Sequence, residues 1–149
     1  MGTSNEDQVY GLQVDRENMV YAEGQSLGGA FPINNVAYSN ANSSQYLIKL
    51  DSNLSTNIFS TEYGSGDPSH TNISPVAFLV DTCENIYISG WGGTLVAGAV
   101  ASVGTTNNLP ITPNAAQSTT DGSDFYFIVF SKNVSSLLYA TYFLSLIHI

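Results

Sequence analysis

A serine flanked by glycines is the first feature of this chain that could carry chemistry. The segment Gly24-Gln-Ser26-Leu-Gly28 has the spacing of a hydrolase nucleophile, which needs a strand before it, a helix after it, and a histidine and an acid nearby. The next residues, Gly-Ala-Phe-Pro, break a helix rather than start one. The histidine outside the C-terminal hexapeptide is His70, in a turn-like segment. A Gly/Ser loop is therefore the preferred interpretation of this motif.

Two pairs of carboxylates are the other catalytic candidates. Glu62 with Asp67, or Asp121 with Asp124, could flank a glycosidic bond, where one carboxyl protonates the leaving group and the other attacks or activates water. Asp is also an ordinary turn former, because its side chain bonds the nearby backbone N–H groups. We prefer turns and keep acid–base catalysis as an alternative hypothesis.

Calcium binding is a further hypothesis for the same oxygen-rich turns. The segment Asp121-Gly-Ser-Asp124 places two carboxylates three residues apart, and calcium accepts carboxylate and carbonyl oxygens. It lacks the full ligand count of an EF-hand loop. Asp121 and Asp124 are therefore a candidate calcium site beside the simpler interpretation as a structural turn, and we expect no other cofactor. Two other turns offer similar oxygens: Asp15 with Asn18, and Asp81 with Glu84 and Asn85.

A tryptophan among glycines marks a candidate binding surface. Trp91 lies between Gly90 and Gly92, at the start of the small-residue-rich segment 92–106. An exposed aromatic ring can stack on a sugar, whereas a lone Trp more often fills the space between two sheets. We predict a surface for a glycan or a protein around Trp91, Thr94 and Asn107.

Charge and composition exclude several classes of function. The chain has 149 residues, a net charge of −9 and only three basic residues. Nucleic-acid binding depends on Lys and Arg at the phosphates, so we predict no nucleic-acid partner. The longest apolar run is about half the length that a bilayer requires, so we predict no membrane insertion. Cys83 is the single cysteine, and we expect it to fill apolar space, with a bridge to a cysteine outside this sequence as the alternative.

The elements that must position these residues occur twice along the chain. An internal repeat means that one supersecondary unit is used twice, and such units rarely bury a core alone. We divide the chain into a leader (1–8), a first repeat (9–66), a second repeat (67–143) with an insertion at 92–106, and a tail (144–149). The matching blocks are Leu12–Gly24 with Phe78–Gly90, Phe31–Ile33 with Leu109–Ile111, Tyr46–Leu50 with Tyr126–Phe130, and Phe59–Tyr63 with Tyr139–Phe143.

Each repeat predicts four short strands bounded by turn residues. Strands three and four are apolar on both faces, as in Phe125–Phe130, so both faces of each sheet need a cover. We predict an all-β fold of two consecutive four-stranded antiparallel propeller-like blades. Two sheets cannot close a ring, so at least one apolar face should stay uncovered. The predicted strands are 9–15, 18–24, 45–51, 57–63, 75–81, 85–91, 124–131 and 137–143.

The repeated blocks resemble a known bacterial repeat. Val80–Gly90, followed by Leu109-Pro-Ile111 and by Ser136–Phe143, resembles the SBBP repeat of bacterial β-propellers, whose pattern has a Val-Asp turn, Asn-hydrophobic-Tyr, Phe-Pro and a Tyr-Ser-Thr-Tyr strand. Gly90-Trp-Gly-Gly93 and Gln117–Phe127 look like large secreted gliding-motility-associated surface proteins. The resemblance implies a secreted or cell-surface bacterial protein, with no established catalytic residues to transfer.

The last residues depart from this pattern. The family continues with Gly-Gly where this chain reads Leu144–Ile149, a hexapeptide that looks like a translated sequencing adapter. We interpret residues 144–149 as a non-native tail and the chain as a fragment of a longer array.

The sequence thus predicts a non-catalytic structural or interaction module. Its expected roles are adhesion and binding of a glycan or a protein at the cell surface, beside further blades of the same chain. Two alternatives stay open: part of a propeller-borne glycan hydrolase or lyase, and a calcium-stabilised adhesion module.

Overall fold

The computed structural model describes residues 2–28, 30–93 and 104–145, which form two four-stranded antiparallel sheets. The predicted strands agree with the observed ones to within two residues at each end. A 3-10 turn at Lys132–Val134 is the one helical element of these residues, and no helix among them is long and apolar enough to cross a bilayer. Sheet I comprises β1 (Asp7–Val14), β2 (Val20–Ser26), β3 (Gln45–Leu50) and β4 (Asn57–Tyr63), and sheet II comprises β5 (Ser74–Val80), β6 (Ile86–Trp91), β7 (Asp124–Phe130) and β8 (Leu137–Ser145).

Both sheets are simple meanders with the same local irregularities. Strand order follows the chain in each sheet, and the β1–β2 ladder has a register shift between Val9 and Gly11 that recurs between Pro75 and Ala77 in the β5–β6 ladder. Bulges of this kind increase the local twist of a sheet and are recurring structural features. The sequence repeat is therefore a structural repeat down to the bulge.

The first hairpin turn of each sheet is held by the aspartate that opens it. Asp15 Oδ1 accepts the Met19 N–H at 2.9 Å, and Asp81 Oδ1 accepts the Asn85 N–H at 2.8 Å. Such side-chain bonds to the backbone are why Asp favours turns. The exposed Cys83 lies in the second of these turns, so the expectation that it fills apolar space is wrong.

Alternation along the strands gives each sheet two faces, which we name by their residues. Face A carries Tyr21 and Leu47 in sheet I, and the equivalent Tyr87 and Phe127 in sheet II. Face B is the opposite face. The main core lies between face A of sheet I and face B of sheet II, so unlike faces of the two sheets pack together. Its buried sheet residues are Tyr21, Leu47, Phe59, Tyr63, Ile86, Ile88, Tyr126, Ile128, Phe130, Ala140 and Tyr142.

Face B of sheet I is covered at its centre by the β2–β3 connection. Phe31 stacks on Tyr46, with ring centroids 4.0 Å apart and an interplanar angle of 5°. Leu109, the equivalent of Phe31, is buried in the core on face B of sheet II. Two sheets do not close a ring, so the all-β class and the two four-stranded antiparallel sheets are the confirmed part of the predicted fold.

Replacing Leu47 by Ala should destabilise the chain by about 3 kcal/mol, because this side chain is fully buried between the sheets and leaves a cavity. The equivalent Phe127 is 37% exposed, so we expect Phe127→Ala to cost only about 1 kcal/mol at protein concentrations in the nanomolar range. Urea unfolding followed by tyrosine fluorescence measures both values. Equal losses of unfolding free energy at the two positions would contradict the packing of face A of sheet I on face B of sheet II.

Candidate functional site

The serine of the nucleophile-like motif is structural. Ser26 is the last residue of β2 and is fully buried, with its Oγ 3.4 Å from Thr3 Oγ1. No helix starts in the described part of the loop that follows. His70 instead contacts Ser69, whose Oγ lies 2.9 Å from Nδ1. Gly24 and Ser26 belong to a strand, so the prediction of a Gly/Ser loop is wrong for this part of the motif, and the described residues do not form a strand–turn–helix elbow around Ser26.

Glu62 has a positioning role that the sequence did not reveal. Its Oε1 accepts the Phe31 N–H at 2.6 Å and its Oε2 accepts the Asn42 N–H at 2.7 Å. The buried carboxylate therefore holds both ends of the loop that covers face B of sheet I. Asp67, its proposed partner, is exposed and accepts hydrogen bonds from Ser69. These contacts make Glu62 a loop clamp.

The predicted binding residue Trp91 lies at the end of face A of sheet II. It is the last residue of β6 and pairs with Ser74 on one side and Phe125 on the other. Strand alternation places it on the same face as Tyr87, away from the core between the sheets. The ring is partly exposed and continues an aromatic row through Phe125. Thr94 lies outside the described residues.

Asn107 and Asp121 lie on two exposed loops that meet beside this row. The Thr106 N–H donates to the Gly122 carbonyl at 3.1 Å, which holds the two loops together. Asp121 Oδ1 accepts the Ser123 N–H at 2.9 Å. The structure thus brings Asn107 and Asp121 to the same end of sheet II as Trp91, and their role in binding stays a prediction.

Asp124 has an environment unlike that of Asp121. Its side chain is fully buried, and neither carboxylate oxygen has a hydrogen-bond partner among the residues that the structure describes. Burying an unpaired carboxylate is costly. No group of three or more His, Cys, Asp or Glu side chains in the described segments is arranged to hold a metal. A cation here would therefore need backbone and hydroxyl oxygens in addition to Asp124.

The opposite end of the stacked sheets holds a cluster of ion pairs that joins the two repeats. Lys49 Nζ, on face A of sheet I, lies 3.3 Å from Asp15 Oδ2 and 2.7 Å from Glu84 Oε2. Lys132 also contacts Glu84, and the Tyr21 hydroxyl donates to Glu84 at 3.1 Å. Asp15 belongs to sheet I and Glu84 to a turn of sheet II, so Lys49 fixes the relative position of the sheets.

Both acids of this cluster are held in the ionised form. Burial raises the pKa of Glu84, but hydrogen bonds from Lys132 and Lys49 outweigh it, and the pKa lies below its ordinary value. Burial likewise raises the pKa of Asp15, and backbone N–H groups together with Lys49 lower it further than burial raises it. The ion pairs therefore persist at neutral pH.

Another buried acid, Glu23, lies between the sheets. It accepts the Tyr63 hydroxyl at Oε1, and Oε2 has no hydrogen-bond partner in the described part of the chain. Burial raises the pKa of Glu23 to about 7, and the Tyr63 hydrogen bond offsets part of that rise. The equivalent pair in sheet II is Ser89 and Phe143, so the acid and the phenol are replaced together.

The two A faces carry equivalent residues in opposite environments. Tyr21 and Leu47 are 0% exposed beneath sheet II, whereas Tyr87 and Phe127 are 38% and 37% exposed. No residue of face A in sheet II is charged among those described, because Lys49 corresponds to Val129. This uncovered face is therefore a candidate interaction surface. Its residues are Ala77, Leu79, Tyr87, Ser89, Trp91, Phe125, Phe127, Val129, Tyr139 and Phe143. Thr141 points to the same face but is buried and bonds to Gln117.

No protein-family model matches this chain, and no curated protein matches it either. The candidate interaction surfaces of the chain are the outer sheet faces and the loop end, which consists of Trp91 and the loops that carry Asn107 and Asp121.

The stability of the chain should fall as the pH rises from about 4.5 to about 7. The folded-state pKa of Glu23 lies above its ordinary value of 4.5, so the folded state keeps this proton longer than the unfolded state does. The contribution of Glu23 to stability is therefore fully present below the unfolded pKa, and a shift of this size corresponds to about 3 kcal/mol lost above the folded pKa.

Glu23→Gln should abolish this decline, because Gln keeps the shape without a titrating proton. Urea unfolding at several pH values measures the effect. Glu17→Gln is the matched control, since Glu17 is exposed and its variant should retain the wild-type profile. A Glu23→Gln profile that still falls between these pH values would contradict the assignment.

Proposed function

We propose that this chain is a non-catalytic interaction module of a propeller-like bacterial repeat protein, which acts by stacking four-stranded sheets face to face. The observation that carries the proposal is the uncovered face A of sheet II. An equivalent face is present in sheet I, where a neighbouring sheet buries its central residues. Extended apolar surface on one side of a sheet marks a site of protein contact.

The chemistry of this face favours a protein partner over a glycan. Aromatic rings can stack on sugars, but sugar sites also need polar groups that bind hydroxyls. Ser89 and Thr141 are the only hydroxyl-bearing aliphatic side chains among the described residues of face A in sheet II. A partner sheet needs only apolar contact there, as Leu47 receives in sheet I.

The loop end is the surface that a stacked array would display. Asn107 and Asp121 lie on exposed loops beyond the strand ends, where stacking leaves side chains accessible, and Trp91 lies at the adjoining end of face A. Loops held by a rigid sheet are common binding sites. We propose this end for recognition of a glycan or protein at a bacterial cell surface, in accordance with the secreted repeat proteins that the sequence resembles.

Adding a third repeat should stabilise the chain. Phe143 corresponds to Tyr63, so repeating residues 64–143 directly after Phe143, with Phe78→Leu and Glu84→Asn in the added repeat, continues the register and places a new face B on face A of sheet II. The two substitutions introduce the residues that sheet I has at these positions, because Ala77 and Val129 replace Gly11 and Lys49 in sheet II. We expect a higher Tm and weaker binding of the dye ANS, because the added sheet covers apolar surface. Calorimetry and ANS fluorescence measure the two effects.

The matched control carries Phe130→Asp in the added repeat alone, which places a charge in its stacking face. The control should show no gain in Tm and should bind ANS at least as strongly as the original chain. Equal Tm values for the original and the extended chain would contradict the proposed stacking function.

A calcium-stabilised module is a second candidate because of Asp124. Within residues 2–28, 30–93 and 104–145 its buried carboxylate has no hydrogen-bond partner, and a bound cation would supply a charge partner. In this version of the function, the ion holds the loop end in place beside β7. The exposed Asp121 is the predicted second carboxylate.

Calcium at a hundred times its Kd should then stabilise the chain by about 2.7 kcal/mol. Asp124→Asn should remove this response and raise the Tm in the presence of a chelator, because a neutral amide costs less to bury than a carboxylate. Asp51→Asn is the control, since that exposed turn carboxylate is bound by Ser55 and Thr56. A wild-type Tm that does not respond to calcium contradicts this second candidate.

A further inference from the structure

The two outer faces of the stack are face A of sheet II and face B of sheet I. They are equivalent to the two faces that meet in the core, and we call them the unpaired halves of that interface. On face B of sheet II, Val134 is fully buried, and Phe78 and Val80 pack against the core. Their equivalents in sheet I are Leu54, Leu12 and Val14. Leu54, Leu12 and Val14 are 60%, 64% and 61% exposed.

The steric fit of this interface is preserved between the unpaired halves. Inside the chain Phe78 lies against Gly11, where an added Cβ would come within 2.7 Å of the Phe78 ring. The equivalents on the unpaired faces are Ala77 on face A of sheet II and Leu12 on face B of sheet I. One side gains a methyl group and the other replaces a ring by a smaller side chain, so the combined volume stays close to constant.

The charged residues of this interface are also replaced in pairs. Lys49 contacts Glu84 inside the chain. At the equivalent positions, the unpaired halves carry Val129 and Asn18. Replacing the lysine alone would leave a buried carboxylate without its cation, which is strongly destabilising. Here the cation and its acid are both replaced by uncharged residues. Asp15, the other acid at Lys49, corresponds to Asp81, whose carboxylate accepts hydrogen bonds from Asn85 and Tyr87. The unpaired halves can therefore meet without burying a carboxylate that lacks hydrogen-bond partners.

We propose that a second copy of this chain covers face A of sheet II with face B of its own sheet I. This inference rests on the proposed stacking function and names the partner. Each copy offers one half at each end, so the contact is heterologous and joins copies head to tail. Such contacts close into a ring or extend as a filament, according to the rotation between copies. The net charge of −9 sets a repulsion that salt weakens.

Two single substitutions distinguish this assembly from other modes of self-association. Leu79→Asp places a charge on face A of sheet II, and Leu12→Asp places one on face B of sheet I; the two side chains are 53% and 64% exposed, so the fold tolerates both changes. In sedimentation velocity, the wild type should form dimers and larger species as concentration rises. Each variant alone should be a monomer.

An equimolar mixture of the two variants should form a dimer that does not grow further, since one intact contact remains between unlike copies. Ile111→Asp is the control, because this exposed loop residue lies on neither sheet face, and it should assemble like the wild type. A second pair, Phe143→Asp with Leu54→Asp, repeats the test at positions that are 47% and 60% exposed. Circular dichroism shows that each variant is folded.

A wild type that stays monomeric up to about 1 mM would overturn the inference, since that limit corresponds to a binding free energy weaker than about −4 kcal/mol. A dimer formed by Leu12→Asp alone would overturn it as well, because it would show that two A faces pair with each other. Either result would leave the gain in Tm from an added third repeat unchanged, so failure of this inference is distinguishable from failure of the proposed function.

Discussion

The packing of face A of sheet I on face B of sheet II creates the core on which the rest of the structure depends. Leu47 and Phe130 are fully buried in this core, although each comes from a different repeat. A single four-stranded meander with apolar residues on both faces has no stable arrangement in water, because one layer cannot cover itself. The stack supplies one cover, and the connections that carry Phe31 and Leu109 supply the others.

The polar groups of this interface add specificity to a contact that is otherwise hydrophobic. Gln45 accepts the Ile73 N–H across the sheets, and Lys49 binds Glu84. Removing one member of such a pair leaves a buried group unsatisfied, so these contacts select one alignment of the sheets. Face A of sheet II has Phe125 and Val129 at the equivalent positions. A contact at this face would therefore depend on shape and apolar area.

Much of this architecture could be predicted from the sequence. Apolar strands between Asp- and Gly-rich turns define both meanders, and the repeat places equivalent residues at equivalent positions. The excess of apolar strand residues also predicts an uncovered face, since two sheets have too few partners. The clamp formed by Glu62 and the cluster around Lys49 could not be predicted, because their partners lie 20 to 35 residues away in sequence. Nothing local to an acid or a lysine states which distant group it will meet.

By itself, the sequence determined the strands, the turns and the periodicity of the two sheets, because hydrophobic alternation and Asp turns act over a few residues. Only the tertiary structure decided which face of each sheet is buried, because that choice depends on how whole sheets pack. Tyr21 and Tyr87 have equivalent positions in the repeat, yet one is 0% and the other 38% exposed. Their difference arises from the neighbouring layer, which is present above one sheet and absent above the other.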